Sequence, residues 1–293
     1  MKEKDRTTMQ GHLLAILTII IWGTTYISTK VLLKDFTPIE ILLLRFVIGF
    51  LTLMLVYPHR LHITEHKQEV LFALAGLTGI TLYFLLENIA LSVTMASNVG
   101  VIISIAPFFT AILCRIVFRQ KEKIRRGFIA GFIIAMVGIC IMNFGESSIV
   151  VNPLGDFLAL LAAFVWACYS VITRKISSYG YHTIQTTRRT FAYGIVFMIP
   201  VLFFMDFHPQ LTEIIRPVNL LNLLYLGFGA SAVCFATWNF SVRVLGAVKT
   251  SVYIYVVPVI TIVTSAVILG ERMTPLSMLG AALTMAGLFL SEK

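Results

Sequence analysis

Charge is scarce in this 293-residue chain: Asp, Glu, Lys and Arg make up 13% of it, about half the share of a soluble globular domain. Acids are rarer than bases, 14 against 23. Cysteine is limited to Cys114, Cys140, Cys168 and Cys234, each inside an apolar run and none in a CxxC-type spacing. That excludes a disulfide framework or a cysteine metal site and leaves packing residues. There is no HExxH, no G-x-S-x-G and no GxxxxGK[ST], so no catalytic motif of hydrolases and no phosphate-binding loop for ATP. The six histidines, His12, His59, His62, His66, His182 and His208, fall in connections or at a span start without metal-ligand spacing. They are expected to be solvated, and neither a metal nor a cofactor is expected. A cleaved leader is not expected either. The first apolar run, about Leu13 to Leu33, is longer than a signal core and has no A-x-A site.

Apolar residues fill the space that charge leaves. They make up 58% of the chain, the mean hydropathy is +0.90, and they recur in blocks of about 20 residues. At 1.5 Å rise per residue such a block spans about 30 Å of hydrocarbon. None alternates with the period of a membrane strand. The expected fold is an all-α polytopic membrane protein with ten transmembrane helices, at about 12–33, 37–57, 69–91, 95–118, 125–144, 152–175, 181–205, 218–241, 248–270 and 274–291. The net charge of +9 is clustered in connections, which indicates topology rather than nucleic acid. With the N-terminus inside, most Lys and Arg of the connections fall on the inner side, including Lys2, Arg60, Lys121, Lys123, Arg125, Lys249 and Lys293. The outer side keeps Lys30, Lys34, Arg216 and Arg272. Both termini are therefore expected in the cytoplasm of a cell-membrane protein.

An internal repeat runs through the chain. A shift of 144 places Trp22 on Trp166, Lys30 on Arg174 and Arg45 on Arg189. A shift of 151 places Asn88 on Asn239 and Pro107 on Pro258. A shift of 149 places Glu122, Gly131 and Gly138 on Glu271, Gly280 and Gly287. Two units follow, 1–148 and 149–293, each with five spans. Five is odd, so the second unit enters the membrane from the opposite side. Inverted repeats of this kind build many secondary transporters, with the binding site near the midplane between the halves.

The ten-span plan, Trp22-Gly23 with Trp166-Ala167, and the closing L-G-E-R-x-T-P-x-x-x-x-G from Leu269 to Gly280 resemble the EamA-like members of the drug/metabolite transporter superfamily. The first-half copy of that closing stretch, FRQKEKIRR from Phe118 to Arg126, is more basic and lacks the Gly and the Thr-Pro. The resemblance implies export or exchange of small organic metabolites, often amino acids, through a central cavity, with no enzymatic step. A passive channel or facilitator and a multidrug or cationic drug exporter are the alternatives. The partners expected are a small-molecule substrate and the lipid bilayer, with no nucleic acid. Proton coupling, and a monomer or homodimer, stay open.

Polar groups inside apolar runs are the candidate site, because lipid tolerates them only where they serve a cavity, a pathway or a partner. Glu87 could receive a substrate amine or a coupling proton, or pair with Lys30 or Arg45. Asn88 and Asn239 are cavity hydrogen-bonders or interhelical links. Arg45 and Arg189 could hold a substrate carboxylate or an internal acid such as Glu40 or Glu87. Trp22, Tyr26, Tyr83, Trp166, Tyr169, Trp238, Tyr253 and Tyr255 could line an aromatic cavity, or pack. Pro107 and Pro258, near the middle of matched spans, are candidate hinges.

Overall fold

Lipid provides no hydrogen bonds, so a spanning backbone must satisfy its own N–H and C=O groups, and a helix does so within one segment. A computed structural model describes residues 3–94, 96–119, 126–144, 152–269 and 274–292, and every regular element among them is helical. Lys2, Met95, Lys121, Glu122, Lys123, Arg125, Glu271, Arg272 and Lys293 lie outside the described residues.

The helices in order are α1 Glu3–Leu32, α2 Pro38–Val56, α3 His66–Val93, α4 Ala96–Ile103, α5 Ala106–Val117, α6 Arg126–Phe144 and α7 Pro153–Ser177. They continue as α8 Thr183–Leu202, the single turn α9 Leu211–Ile214, α10 Pro217–Leu245, α11 Ala247–Val252, α12 Val256–Leu269 and α13 Pro275–Glu292. Among the described residues, six helices are long and apolar enough to cross a membrane: α1, α2, α3, α7, α10 and Val99–Val117, which runs through α4 and α5. Shorter apolar helices lie at Arg126–Ile141, Ala247–Thr261 and Met278–Ser291. Helix α8 is 20 residues long and carries Arg188 and Arg189. All ten stretches marked by hydropathy contain helix.

The ends of these helices follow from local chemistry. Thr37 and Glu40 form a reciprocal capping box at the start of α2, with Pro38 in the first turn, where its missing N–H costs nothing. Glu40 is thereby committed to the cap, and its other oxygen accepts from the His208 backbone at 2.8 Å. It is not the partner of Arg45. Asn152 caps α7 by accepting from Gly155 N at 3.0 Å.

Packing repeats across the two halves. Helix α1 lies along α10 as α7 lies along α3, α5 packs on α7 as α12 packs on α1, and α3 meets α8 as α10 meets α2. The final helices of the two halves, α6 and α13, pack on one another along a glycine seam. A Cβ on Gly138 would stand 2.6 Å from Gly280 O, and one on Gly287 would stand 2.5 Å from Gly131 O. Such seams let backbones approach where lipid offers no hydrophobic drive. Helix C-termini are closed in matched fashion too. Lys30 Nζ donates to Leu91 O at 2.5 Å and Thr94 O at 2.9 Å, and Arg174 Nη1 donates to Val242 O at 3.4 Å and Arg243 O at 3.2 Å. Cations favour helix C-termini, where free carbonyls and the dipole are negative.

Two wide-turn stretches also correspond: Leu77–Leu82 in α3 and Tyr225–Val233 in α10 are π-helical. Both are glycine-containing, and both lie where a glycine lets a neighbouring helix press in. A Cβ on Gly76 would meet Gly194 N at 2.6 Å, and one on Gly227 would meet Ile48 Cβ at 2.6 Å.

Two histidines meet tyrosines: His12 is half-buried, in contrast to its sequence reading, whereas His182 is exposed as expected. His12 Nδ1 and the Tyr253 hydroxyl are 2.6 Å apart, and the His182 ring stacks on Tyr57 at 4.3 Å and 9°. His12 lies in the third turn of α1 and His182 is the N-cap residue of α8, and tertiary packing brings each against a tyrosine, which local sequence does not reveal. Cys114 and Cys234 are buried, Cys168 is half-buried and Cys140 is exposed; all four are free thiols.

Candidate functional site

A small cavity opens among α1, α2, α3, α4, α7, α12 and the 3-10 turn Tyr253–Tyr255. Its polar wall is Tyr26, Arg45, Tyr83 and Glu87, with Thr25 beside them. Its apolar wall is Trp22, Phe84, Trp166, Ile103, Ile254 and Val257. Mostly apolar walls with a few placed polar groups are the usual build of a small-molecule site.

Glu87 is 7% exposed. Helix α3 continues to Val93, so Glu87 lies more than a turn and a half inside its helix. Tyr83 precedes it by four residues on the same face and donates to Oε1 at 2.9 Å. The Tyr26 hydroxyl, from α1, is a second hydrogen-bond partner of the carboxylate. Arg45, from α2, is 1% exposed and within electrostatic range of Glu87. Its Nε donates to Ser231 Oγ at 3.1 Å, and its guanidinium carbon stands 4.4 Å from the centroid of the Phe84 ring. An arginine flat on an aromatic face retains its in-plane donors.

Trp22 and Trp166, paired by the repeat, meet edge-to-face at 5.3 Å across the cavity wall. Their indole N–H groups have different fates. Trp22 Nε1 donates to Ala230 O at 2.9 Å, inside the second π-helical stretch, where backbone carbonyls are released from the ordinary α pattern. Trp166 Nε1 is buried without a hydrogen-bond partner among the described residues.

Other candidates lie outside the cavity wall. Trp238 is fully buried behind it, 5.1 Å from the Trp22 ring. Tyr169 donates to Asn239 Oδ1 at 2.9 Å, and Asn239 Nδ2 donates to Thr187 Oγ1 at 3.0 Å, a buried link between α7, α10 and α8. Asn88 Nδ2 donates to Pro38 O at 3.2 Å. Arg189 does not share the position of Arg45: its side chain is 43% exposed and pairs with Glu69, which also accepts from Tyr193. The asymmetry has a simple source, since Leu220 stands where the repeat would place a second Glu69.

The prolines are displaced from the expected mid-helix position. Pro107 occupies the first turn of α5, after a break at Ser104–Ile105, and Pro258 is the third residue of α12, after the turn Tyr253–Tyr255. A ring that removes an N–H is accommodated by beginning a new helical segment there. Ile103, Ile254 and Val257, all beside these breaks, face the cavity.

Sequence reasoning did not single out Thr25, Phe84, Ile103, Ser231, Ile254 or Val257. Tyr83, an aromatic candidate in the sequence, does line the cavity, and its spacing from Glu87 puts both on one helix face.

A two-repeat bundle of apolar helices around a small, mixed-polarity cavity is the build of a multi-pass membrane transporter. The chain matches the EamA-like transporter family over residues 9–144 and again over residues 153–292, and it belongs to that family. A relative from Archaeoglobus fulgidus, described only as an uncharacterized transporter, is 26% identical, covering 96% of each chain. A "Probable amino-acid metabolite efflux pump" of Salmonella typhimurium is 28% identical over 95% of this chain and 93% of its own. A "Probable terminal-alkyne amino-acid exporter" of Streptantibioticus cattleyicolor is 26% identical over 95% of this chain and 92% of its own. One solved crystal structure superposes with a TM-score of 0.74 at 18% identity, covering 96% of this chain and 95% of that one, and shares the fold.

Proposed function

We propose that this protein is a gradient-driven secondary transporter that exports or exchanges small organic metabolites of the amino-acid and related amine class. The halves 1–148 and 149–293 move as inverted units in the cell membrane, with both termini in the cytoplasm, and expose the cavity to one side at a time. One observation carries the reading. Glu87, a carboxylate in a helix flanked by lipid-length apolar runs, lies in a cavity walled by both halves, held there by Tyr83 and Tyr26. A carboxylate accepts about four hydrogen bonds, so two tyrosines leave room for a ligand ammonium. The names of the Salmonella typhimurium and Streptantibioticus cattleyicolor relatives support the same substrate class.

Alternating access follows from where the breaks lie. Ile103 adjoins the interruption between α4 and α5, and Ile254 and Val257 adjoin that between α11 and α12, so a ligand in the cavity touches both bends. Filling the cavity changes which bend angle packs best, and the two halves rock about the bound ligand.

Counterflow in proteoliposomes tests the function. Preloaded unlabelled amino acid accelerates uptake of the labelled compound if the protein is an exchanger; a facilitator shows no such acceleration. Glu87→Gln retains the shape and a hydrogen-bond acceptor for Tyr83 but removes the charge. It is expected to weaken amine binding by about 10- to 100-fold, the worth of a charge-assisted hydrogen bond. Unchanged transport by Glu87→Gln would sink the role given to the carboxylate.

A further inference from the structure

We infer that Lys30 and Arg174 are opposing latches: each holds one end of the path through the molecule shut, and their balance sets the side to which the cavity opens. This rests on the protein being a transporter with both termini in the cytoplasm.

The first ground is what the two cations hold. Lys30, near the outer end of α1, donates to Leu91 O and Thr94 O at the corner between α3 and α4. Arg174, near the inner end of α7, donates to Val242 O and Arg243 O at the corner between α10 and α11. The repeat places Lys30 on Arg174 and Leu91 on Val242, so one contact is built twice, once on each side of the membrane. Neither cation pairs with an acid among the described residues. A charge-assisted hydrogen bond to a neutral carbonyl closes a corner yet releases without stranding a second charge, as the parting of a buried ion pair would.

The second ground is that each corner is gripped again by the other of these two helices. Outside, Asn152 at the start of α7 donates to Val93 O at 2.9 Å, and a Cβ on Gly155 would stand 2.9 Å from Thr94 Cβ. Inside, Ser241 donates to Gly11 O of α1 at 2.8 Å, and a Cβ on Gly11 would stand 3.1 Å from Leu245 Cγ. Gly11 and Gly155 are themselves repeat partners. Helices α1 and α7 thus hold both corners with opposite ends and touch one another between them, at Trp22 and Trp166. A tilt of one helix against the other acts on both corners at once.

The third ground is where the latches lie relative to the cavity. Lys30 is four residues beyond Tyr26 and Leu91 four beyond Glu87, which puts the outer latch one helical turn, about 6 Å, outward of two cavity-lining groups. The corresponding residues four before Arg174 and Val242 are Ser170 and Trp238, both buried. The inner end is therefore closed by the latch with Trp238 behind it. Trp238 belongs to α10, the helix whose corner Arg174 holds, so release of Arg174 frees the plug as well.

The test reads the side from which the cavity is reached. Thr25→Cys places a thiol on the cavity wall, and a membrane-impermeant maleimide reaches it from outside in intact cells and from inside in inverted vesicles. The chain with Thr25 retained gives the background from the native cysteines. Lys30→Gln is expected to raise the ratio of outside to inside labelling about 10- to 100-fold, the worth of the charge-assisted hydrogen bonds lost, and Arg174→Gln to lower it by a similar factor. The double variant is expected to return the ratio towards that of the parent, a compensation that lost stability alone does not produce. Lys30→Arg and Arg174→Lys retain the donors and are expected to keep the parent ratio. Should either Gln variant fail to fold, Asn152→Ala and Ser241→Ala, which remove the second hold at each corner, are expected to shift the ratio in the same two directions by less. A ratio that moves the same way on both sides of the comparison, or not at all, would overturn the latches and leave the transport reading standing. Opposite shifts without counterflow of any amino acid would uphold the latches and overturn the amino-acid exchange proposed above.

Discussion

The glycine seam between α6 and α13 permits a prediction whose magnitude follows from geometry alone. Replacing Gly138 by Ala would put a methyl group 2.6 Å from Gly280 O and 2.6 Å from Thr284 N, both backbone atoms of the facing helix. Backbone cannot swing aside as a side chain does, so the helices must separate, an overpacking cost of about 1–3 kcal/mol. Against that, Ala in place of Gly inside a helix stabilises by about 0.5–1 kcal/mol. Gly100, inside α4, has nothing within 4 Å of a Cβ among the described residues. Gly100→Ala therefore keeps the helix gain and meets no obstacle. The gain cancels between the two variants, and their stabilities should differ by the overpacking cost alone, about 1–3 kcal/mol, with Gly100→Ala above the parent. Unfolding by SDS in mixed micelles, followed by the fluorescence of Trp22, Trp166 and Trp238, measures it. Equal shifts for the two variants, or a Gly138→Ala protein as stable as Gly100→Ala, would refute the close approach of α6 and α13.

Further expectations concern the links around the cavity. Tyr169→Phe removes the donor to Asn239 and leaves a buried acceptor unmatched, so stability falls by about 1–3 kcal/mol in the same assay while ligand affinity is retained, Tyr169 being outside the cavity wall. An affinity loss matching the stability loss would return Tyr169 to the site. Pro107→Ala and Pro258→Ala allow α4–α5 and α11–α12 to close up as continuous helices. Counterflow is expected to slow while equilibrium binding stays unchanged, and a loss confined to binding would show that the prolines shape the wall rather than the motion.

Much of the candidate site was legible because charge is so scarce. An acid and a base within apolar runs stand out, and Glu87 and Arg45 do share one cavity. The repeat added Trp22 and Trp166, which also meet. The same repeat misleads for Arg189. Depth along a helix says nothing about which face a side chain occupies, and the neighbour that captures it, Glu69, comes from another helix and has no repeat counterpart. Asn88 and Asn239 illustrate a similar limit. An amide in an apolar run signals that some hydrogen bond exists, and only tertiary packing shows that the partners are Pro38, Tyr169 and Thr187. The prolines marked the right places but not the form of the break, which the chain resolves by starting a new helix at Pro107 and inserting a tighter turn ahead of Pro258. Nothing in the hydrophobic spacing announced the π-helical stretches, since they alter the backbone count without altering the apolar composition.

Those stretches act as an indexing device. An α-helix advances about 100° per residue, and a π-helical stretch spends extra residues on each circuit. Everything downstream in the helix is therefore turned relative to where an unbroken α-helix would have carried it. Tyr83 and Glu87 lie downstream of Leu77–Leu82, and their direction is set by that local miscount as well as by their own neighbours. If α3 tightened by one residue there, the acid would rotate about 100° out of the cavity without any change in its own sequence. The cavity's most costly group is thus aimed in part by a six-residue stretch of backbone that ends at Leu82, and helix α10 carries the same wide-turn stretch ahead of Trp238.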